Sequence, residues 1–339
     1  KTFSFGFTDH KKNELPFAKT VAEKYRTDHK ELTEKTDDIG DILIEMQSVY
    51  DEPFADSSNV PTYLISKLAS KHIKVVLSGD GGDELLAGYS YWYSDINKLQ
   101  NFLGFENGLS KISKLIPQNL RFLSAFQSNN ELDGKQLSDR YGSIANLFYS
   151  QREFFDANDL QEFGFDSPEL RIDEEQPKSL DDALRLDIIN YLPGDILVKT
   201  DRASMANSLE IRSPFLDVEM MRFANQIPSQ MKYFKGKTKY ILRKYHERNS
   251  PLGVSKRPKQ GFTVPIAHWL TTALKPWAND ILDPLQIEKD GFFDAREVRR
   301  LWREHQERKI NHGKKLWTII VFQHWLHSVW SEWNSIKIH

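Results

Sequence analysis

The sequence predicts an α/β protein in which a parallel sheet is built early and a mainly α-helical region follows. Three observations carry this. A short β-type run and an amphipathic helix open the chain, a compact apolar run at 73–77 opens onto glycines after further helices, and the β signal fades from about Tyr93 onward. Strands alternating with helices of this length form parallel sheets covered on both faces. The expected division is residues 1–98 for the partial α/β unit and 99–339 for the helical region.

The elements follow in order. Thr2-Phe3-Ser4-Phe5-Gly6-Phe7 reads as a strand, and Glu14 to Tyr25 as a helix with Phe17, Val21 and Tyr25 four residues apart. Ile39, Ile42, Leu43, Met46, Val49 and Tyr50 fall on one helical stripe, with Thr36, Asp37 or Asp38 as its cap. Ser57 or Ser58 is placed to cap a helix carrying Val60, Leu64 and Leu68, and Pro61 is tolerated in its first turn. Ile73-Lys74-Val75-Val76-Leu77 is the next strand. Further on, Ser179 with Asp182 resembles a capping box leading into Leu184 and Ile188, with Asp in place of Glu or Gln. Residues 165–178, with an acidic cluster and Pro177, read as a loop or linker.

Composition excludes several classes of function. The chain has 339 residues, 46 Lys+Arg against 48 Asp+Glu, and a formal net charge of −2. A near-neutral chain without a basic block is not expected to bind nucleic acid. Its 21 Phe, 12 Tyr and 8 Trp supply the large buried surfaces of a folded protein. Without cysteine, disulfides, thiolate metal sites and cysteine nucleophiles are excluded within the chain, and a cytoplasmic location fits. The most apolar stretch, Leu316 to Phe322, falls far short of the ~20 residues that span a bilayer, so no membrane is expected. The first residue is Lys1 rather than Met, which suggests a fragment.

Ser78-Gly79-Asp80-Gly81-Gly82-Asp83-Glu84 directly follows the strand and carries the chemistry. That position is the carboxyl end of a parallel sheet, where open α/β folds bind ligands. Glycines admit a ligand close to the backbone, and three carboxylates within five residues repel one another unless a cation sits among them. The Lys-Ser/Thr ending of a Walker loop is absent, so carboxylates holding magnesium against a nucleotide's phosphates suit the pattern better. Taken alone, the cluster fits equally well a Gly-rich turn whose acids cap a helix from Glu84 to Tyr89.

The run Val75 to Tyr89 resembles the signature of the synthetase domain of glutamine-hydrolysing asparagine synthetases. Similar blocks occur in the family's order: Thr2 to Phe7, Asp51 to Ser58, Asp201 to Asp217, Lys239 to Arg243 and Lys256 to Phe262. The fold this resemblance implies is a parallel sheet of the adenine-nucleotide α-hydrolase type, truncated at its first strand. Residues 1–98 would be a partial nucleotide-binding domain, and the helical remainder would complete the synthetase site. The family's N-terminal glutaminase domain and its Ser-Gly-Gly-x-Asp-Ser pyrophosphate loop do not occur in this chain. As a fragment without that loop it is expected to have an impaired nucleotide site.

The resemblance implies ATP as substrate, magnesium as cofactor, and amidation of the aspartate side-chain carboxylate by ammonia released from glutamine. Asp83 matches the magnesium-pyrophosphate ligand. Ser78, Gly79 and Phe5 match the adenine pocket, although Phe5 alone reads as core. Lys239 matches a lysine that contacts phosphate. Asp80 stands where family members often carry Glu, and with Glu210 as a facing pair either carboxylate could orient or deprotonate the attacking amine. Arg202, Arg212, Lys256, Arg257 and Lys259 are candidate anion clamps. His324 and His327 have metal-compatible spacing, but their aromatic neighbours favour ordinary packing. Two rivals stand beside this reading: a relative that amidates an envelope sugar, a peptide or a β-lactam precursor, and a non-catalytic binding protein of the same fold. The edge left open by the absent first strand could be covered by a partner or by a second copy, the latter giving a homo-oligomer.

Overall fold

The computed structural model describes residues 1–7, 14–34, 42, 46, 48–113, 132–165, 176–249, 253–256 and 264–330. Strand β1 (Thr2–Phe7) runs into helix α1 (Leu15–Tyr25), which returns to strand β2 (His29–Glu34). β1 and β2 pair in parallel, Thr2 opposite His29 through Phe7 opposite Glu34. β2 had no signal in the sequence, since His-Lys-Glu-Leu-Thr-Glu shows no apolar alternation. Its order comes from the β1 ladder and from Thr2 Oγ1, 2.9 Å from His29 Nδ1.

Of the stripe expected at 39–50, Met46 and Tyr50 are buried, and Ile42 and Val49 pack against the same core. Ile39, Leu43 and the cap candidates Thr36, Asp37 and Asp38 lie outside the described residues. Helix α2 (Asn59–Ser70) starts after Ser58, but the Ser58 side chain makes no capping bond. The Asp56 carboxylate instead accepts from Ser58 N–H at 2.9 Å and from Ser58 Oγ at 2.7 Å. An Asp two residues upstream makes this local bond more readily than a hydroxyl.

Strand β3 (Val75–Leu77) leads through the glycine loop into a single turn, α3 (Gly82–Leu85). The helix considered for Glu84 to Tyr89 therefore ends early, where Ala87 takes a left-handed φ of 56°. Helix α4 (Ser90–Ser113) follows, so the boundary expected at 98/99 falls inside a helix. Helix α5 (Leu180–Leu186) begins at Ser179, whose Oγ accepts from Asp182 N–H at 3.1 Å. The shorter Asp182 carboxylate accepts from Lys178 N–H at 2.9 Å, one residue ahead of the usual partner. Residues Asp187–Ile196 continue as a π-helical segment with Pro193 inside it, and helix α6 (Leu197–Met205) completes the run.

Strand β4 (Glu210–Arg212) then pairs in parallel with β3, Val75 opposite Glu210 and Leu77 opposite Arg212. The helical region thus supplies a strand to the first unit. Helices α7 (Tyr240–Asn249), α8 (Ala295–Gln306) and α9 (Gly313–Trp325) are the later elements that matter here. The larger core joins Phe5, Val60 and Leu64 to Trp269, Leu301 and Ile320 of the C-terminal helices, while a second gathers Tyr93, Ile96, Phe148 and Leu184. Burying one such side chain contributes about 1.5–3 kcal/mol, which is why distant helices close over a small sheet. Among the described residues no helix is long and apolar enough to cross a membrane.

Candidate active site

A cleft of ≈ 1810 Å³ lies between the start of β1, the β3 strand with its glycine loop, the Asp56–Ser58 turn and the π-helical segment. It occupies the carboxyl end of β3, as expected for a ligand site in an open α/β fold. Ser78 N–H donates to Arg212 O at 3.0 Å, which carries the ladder one step beyond β3. Ser78 Oγ donates to Asp80 Oδ2 at 2.7 Å and lies 2.8 Å from Ser213 Oγ. Gly81 turns the chain with a φ of +82°, and a Cβ there would lie 2.2 Å from Leu216 Cδ2. Both conditions call for glycine.

The three carboxylates of this loop each have a separate partner. Asp80 takes the Ser78 hydroxyl, Asp83 Oδ1 pairs with Lys239 Nζ at 2.9 Å, and Glu84 accepts from the Tyr89 hydroxyl. Burial pushes the Glu84 carboxyl above its ordinary value of 4.5. The mutual repulsion read from the sequence is therefore relieved by three different donors.

The other expected residues distribute unevenly. Gly79 borders the cleft with nothing within 4 Å of a Cβ position. Phe5 is buried in the larger core and is not part of the cleft wall. Glu210 does not face Asp80. The β3–β4 register sets it beside Val75, at the other end of the strand, where Arg212 Nε pairs with it at 2.7 Å. Arg202 pairs with Asp51 on an exposed surface away from the cleft wall. Lys256 is exposed, and Arg257 and Lys259 lie outside the described residues. His324 sits edge-on to Trp277, whereas His327 Nε2 pairs with Asp290 at 2.6 Å, so the two imidazoles serve different neighbours.

Sequence reasoning missed a second group that lines the cleft. Lys199 Nζ lies 2.8 Å from Asp56 Oδ2, and Asp195 stands beside both. Burial, then the neighbouring Asp56 carboxylate, push Asp195 from 3.8 up to about 7. Asp195 and Lys199 are four apart, which is a usable helical signal, but Pro193-Gly194 in front of them reads as a break. The π-helical turn removes that conflict and points to function, since such turns often occur at working sites. A further pair on the cleft wall is Arg152 and Asp187, with Arg152 Nε donating to Asp187 Oδ1 at 3.0 Å.

Asp195→Asn is expected to alter the pH dependence of stability. The folded carboxyl holds a proton between about pH 4 and 7 that the unfolded chain releases, so the wild type loses stability as pH rises through this window. Asn has no such titration. Relative to wild type, the variant should gain on the order of 2–4 kcal/mol between pH 4 and pH 8, measured by urea unfolding at both values. A constant difference across the range would refute the assignment.

The fold and the cleft define an α/β protein with a ligand site at the carboxyl end of parallel strands, in which carboxylates and a lysine converge. The family model described as asparagine synthase matches residues 1–327, and the chain belongs to that family. It is 32% identical to "Asparagine synthetase (glutamine-hydrolyzing) 1" of Bacillus subtilis (strain 168), over 97% of this chain and 52% of that protein. A Mycobacterium tuberculosis (strain CDC 1551 / Oshkosh) protein that carries the same designation provisionally is 33% identical, over 99% of this chain and 51% of its own length. The chain spans about half the length of the curated relatives it matches.

Proposed function

We propose that this chain provides the ATP-dependent synthetase part of an asparagine synthetase acting in the cytoplasm. In this reading a side-chain carboxylate oxygen of aspartate attacks the α-phosphorus of ATP. The α–β phosphoanhydride bond breaks, pyrophosphate leaves, and the aspartyl acyl-adenylate forms. Ammonia, released from glutamine, then attacks the acyl carbon. AMP leaves, the nitrogen loses a proton, and asparagine results.

The observation that carries the reading is the ion pair of Lys239 with Asp83, a residue that lines the cleft together with Ser78 and Gly79. Ser78 and Gly79 offer an uncrowded edge to a nucleotide, and Phe5 backs β1 from the core. Lys239 supplies the charge that a phosphate needs. Asp80, on the cleft wall, is the carboxylate placed to accept the amine proton. Glu210 pairs with Arg212 and Arg202 with Asp51, and neither lines the cleft.

Magnesium suits the donors in kind, because carboxylate oxygens at a phosphate site are its usual ligands. In number and charge they fit it poorly. Lys239 neutralises Asp83, and among the described residues no group of three or more His, Asp or Glu side chains could hold a metal.

The test is aspartate-dependent pyrophosphate release with ATP, magnesium and ammonium. It is run on this chain and on a version extended upstream to include the family's pyrophosphate loop. Activity in the extended protein and little or none in the shorter one is the expected result. Silence in both, with the fold verified by circular dichroism, would reject aspartate as acceptor, and a screen of amino-acid and sugar carboxylates would follow.

A further inference from the structure

The second set of charges on the cleft wall shares its donors unevenly. Asp56, Lys199 and Asp195 all line the cleft. Asp56 receives Ser58 N–H at 2.9 Å, Ser58 Oγ at 2.7 Å and Lys199 Nζ at 2.8 Å. Asp195 Oδ1, in contrast, is buried without a hydrogen-bond partner. Two carboxylates thus share one ammonium, and when both are ionised the group carries a negative charge in excess.

Space lies beside the unmatched carboxylate. Gly194, also on the wall, has nothing within 4 Å of a Cβ position. Asp195 stands within electrostatic reach of Glu84, the residue that follows Asp83 in the glycine loop, so a small ligand held by Asp195 remains beside that loop. What Asp195 lacks is a compact cation with N–H donors. A metal ion suits it poorly, because among the described residues no group of three or more His, Asp or Glu side chains could hold one. A primary ammonium supplies one positive charge and three donors on a single small centre.

We propose that Asp195, with Asp56 and Lys199 beside it, is the subsite for the primary ammonium group of the acceptor, so that the cleft selects free amino acids over acceptors whose nitrogen is acylated or absent. This deepens the function proposed above and rests on it for aspartate as that acceptor, but the ammonium subsite itself does not. Binding of this kind competes with a proton. Burial and the Asp56 carboxylate push Asp195 up to about 7, Glu84 adds to them and Lys199 opposes them, while Tyr50 and Tyr191 face the group as hydroxyls that burial keeps neutral. The ammonium binds the ionised form, so affinity should rise about tenfold between pH 6 and pH 8.

The test compares ligands that differ in the amine alone. L-aspartate is paired with succinate, and L-glutamate with glutarate, in calorimetric titrations of this chain. At pH 8 one amino acid or both should bind about tenfold tighter than the amine-free partner, the scale of one charge-assisted hydrogen bond. At pH 7 that binding should release about half a proton, read from the dependence of the heat on the buffer's ionisation enthalpy, and the diacid should release none. This proton count uses the wild type and needs no variant. Asp195→Asn is expected to lose both the preference for the amino acid and its pH dependence, with diacid binding not weakened. Equal binding within each pair, absence of binding included, would overturn the subsite, as would a preference and pH dependence that survive in a folded Asp195→Asn. A preference for glutamate with none for aspartate would retain the subsite and reject aspartate as acceptor. Pyrophosphate release from aspartate in the extended protein, without any preference for the amine, would do the reverse.

Discussion

Substituting Arg152 by methionine is expected to destabilise the fold by about 3–5 kcal/mol, the usual cost of stranding a buried charge. Asp187 has a side chain only 1% exposed, and both its oxygens lie 2.6 Å from Arg152 Nη2. The guanidinium is held between the rings of Trp92 and Phe148, at 4.2 and 3.6 Å from their centroids, and Tyr93 donates to Asp187 at 2.6 Å. Burial nevertheless pushes the Asp187 carboxyl above its ordinary value, so the ion pair only partly offsets desolvation. The loss should be greatest near neutral pH and shrink toward pH 4 as the stranded carboxyl takes a proton. Urea unfolding at the two values measures it. An Arg152→Met/Asp187→Leu double variant should recover much of the stability, since an apolar pair leaves no charge stranded. Equal stability of the single and double variants would show that the pair contributes little.

Gly88→Ala is expected to disable the cleft while leaving the fold nearly intact. The added methyl would occupy the place of the Asp83 carboxylate and press on the Lys239 stem. Asp83 must then rotate away, and the ion pair at the head of the site is lost. In the upstream-extended protein this should lower pyrophosphate release by roughly a hundredfold or more, the scale of misplacing a charged group at a reacting centre. The urea midpoint should move little, because Gly88 is not among the glycines with a positive φ and the displaced atoms end a side chain. Full activity in this variant would remove Asp83 and Lys239 from the proposed chemistry.

Legibility in the sequence followed the range of the interactions involved. β1, α1, α2 and the β3 strand were readable because apolar spacing within ten residues declares them. β2 was not, since its six residues are mostly polar and ordered by the neighbouring strand. β4 was equally silent, a three-residue strand recruited across more than 130 positions. In the site, Ser78 to Glu84 stood out through composition, and Lys239 only through its resemblance to a family block. The Asp56, Lys199 and Asp195 group stayed hidden because its central bond joins residues 143 positions apart.

The sequence by itself determined the α/β class, the strand that ends in the glycine loop, the family, and the carboxylates at the head of the cleft. These rest on local periodicity, on turn chemistry and on residues adjacent in the chain. Only the tertiary structure decided which carboxylate meets which partner: Asp83 with Lys239, Glu84 with Tyr89, Asp195 with Asp56, and Glu210 with Arg212 rather than Asp80. Charge pairing depends on distances of a few ångströms between remote segments, and those distances are set by core packing and strand register, which no local pattern encodes.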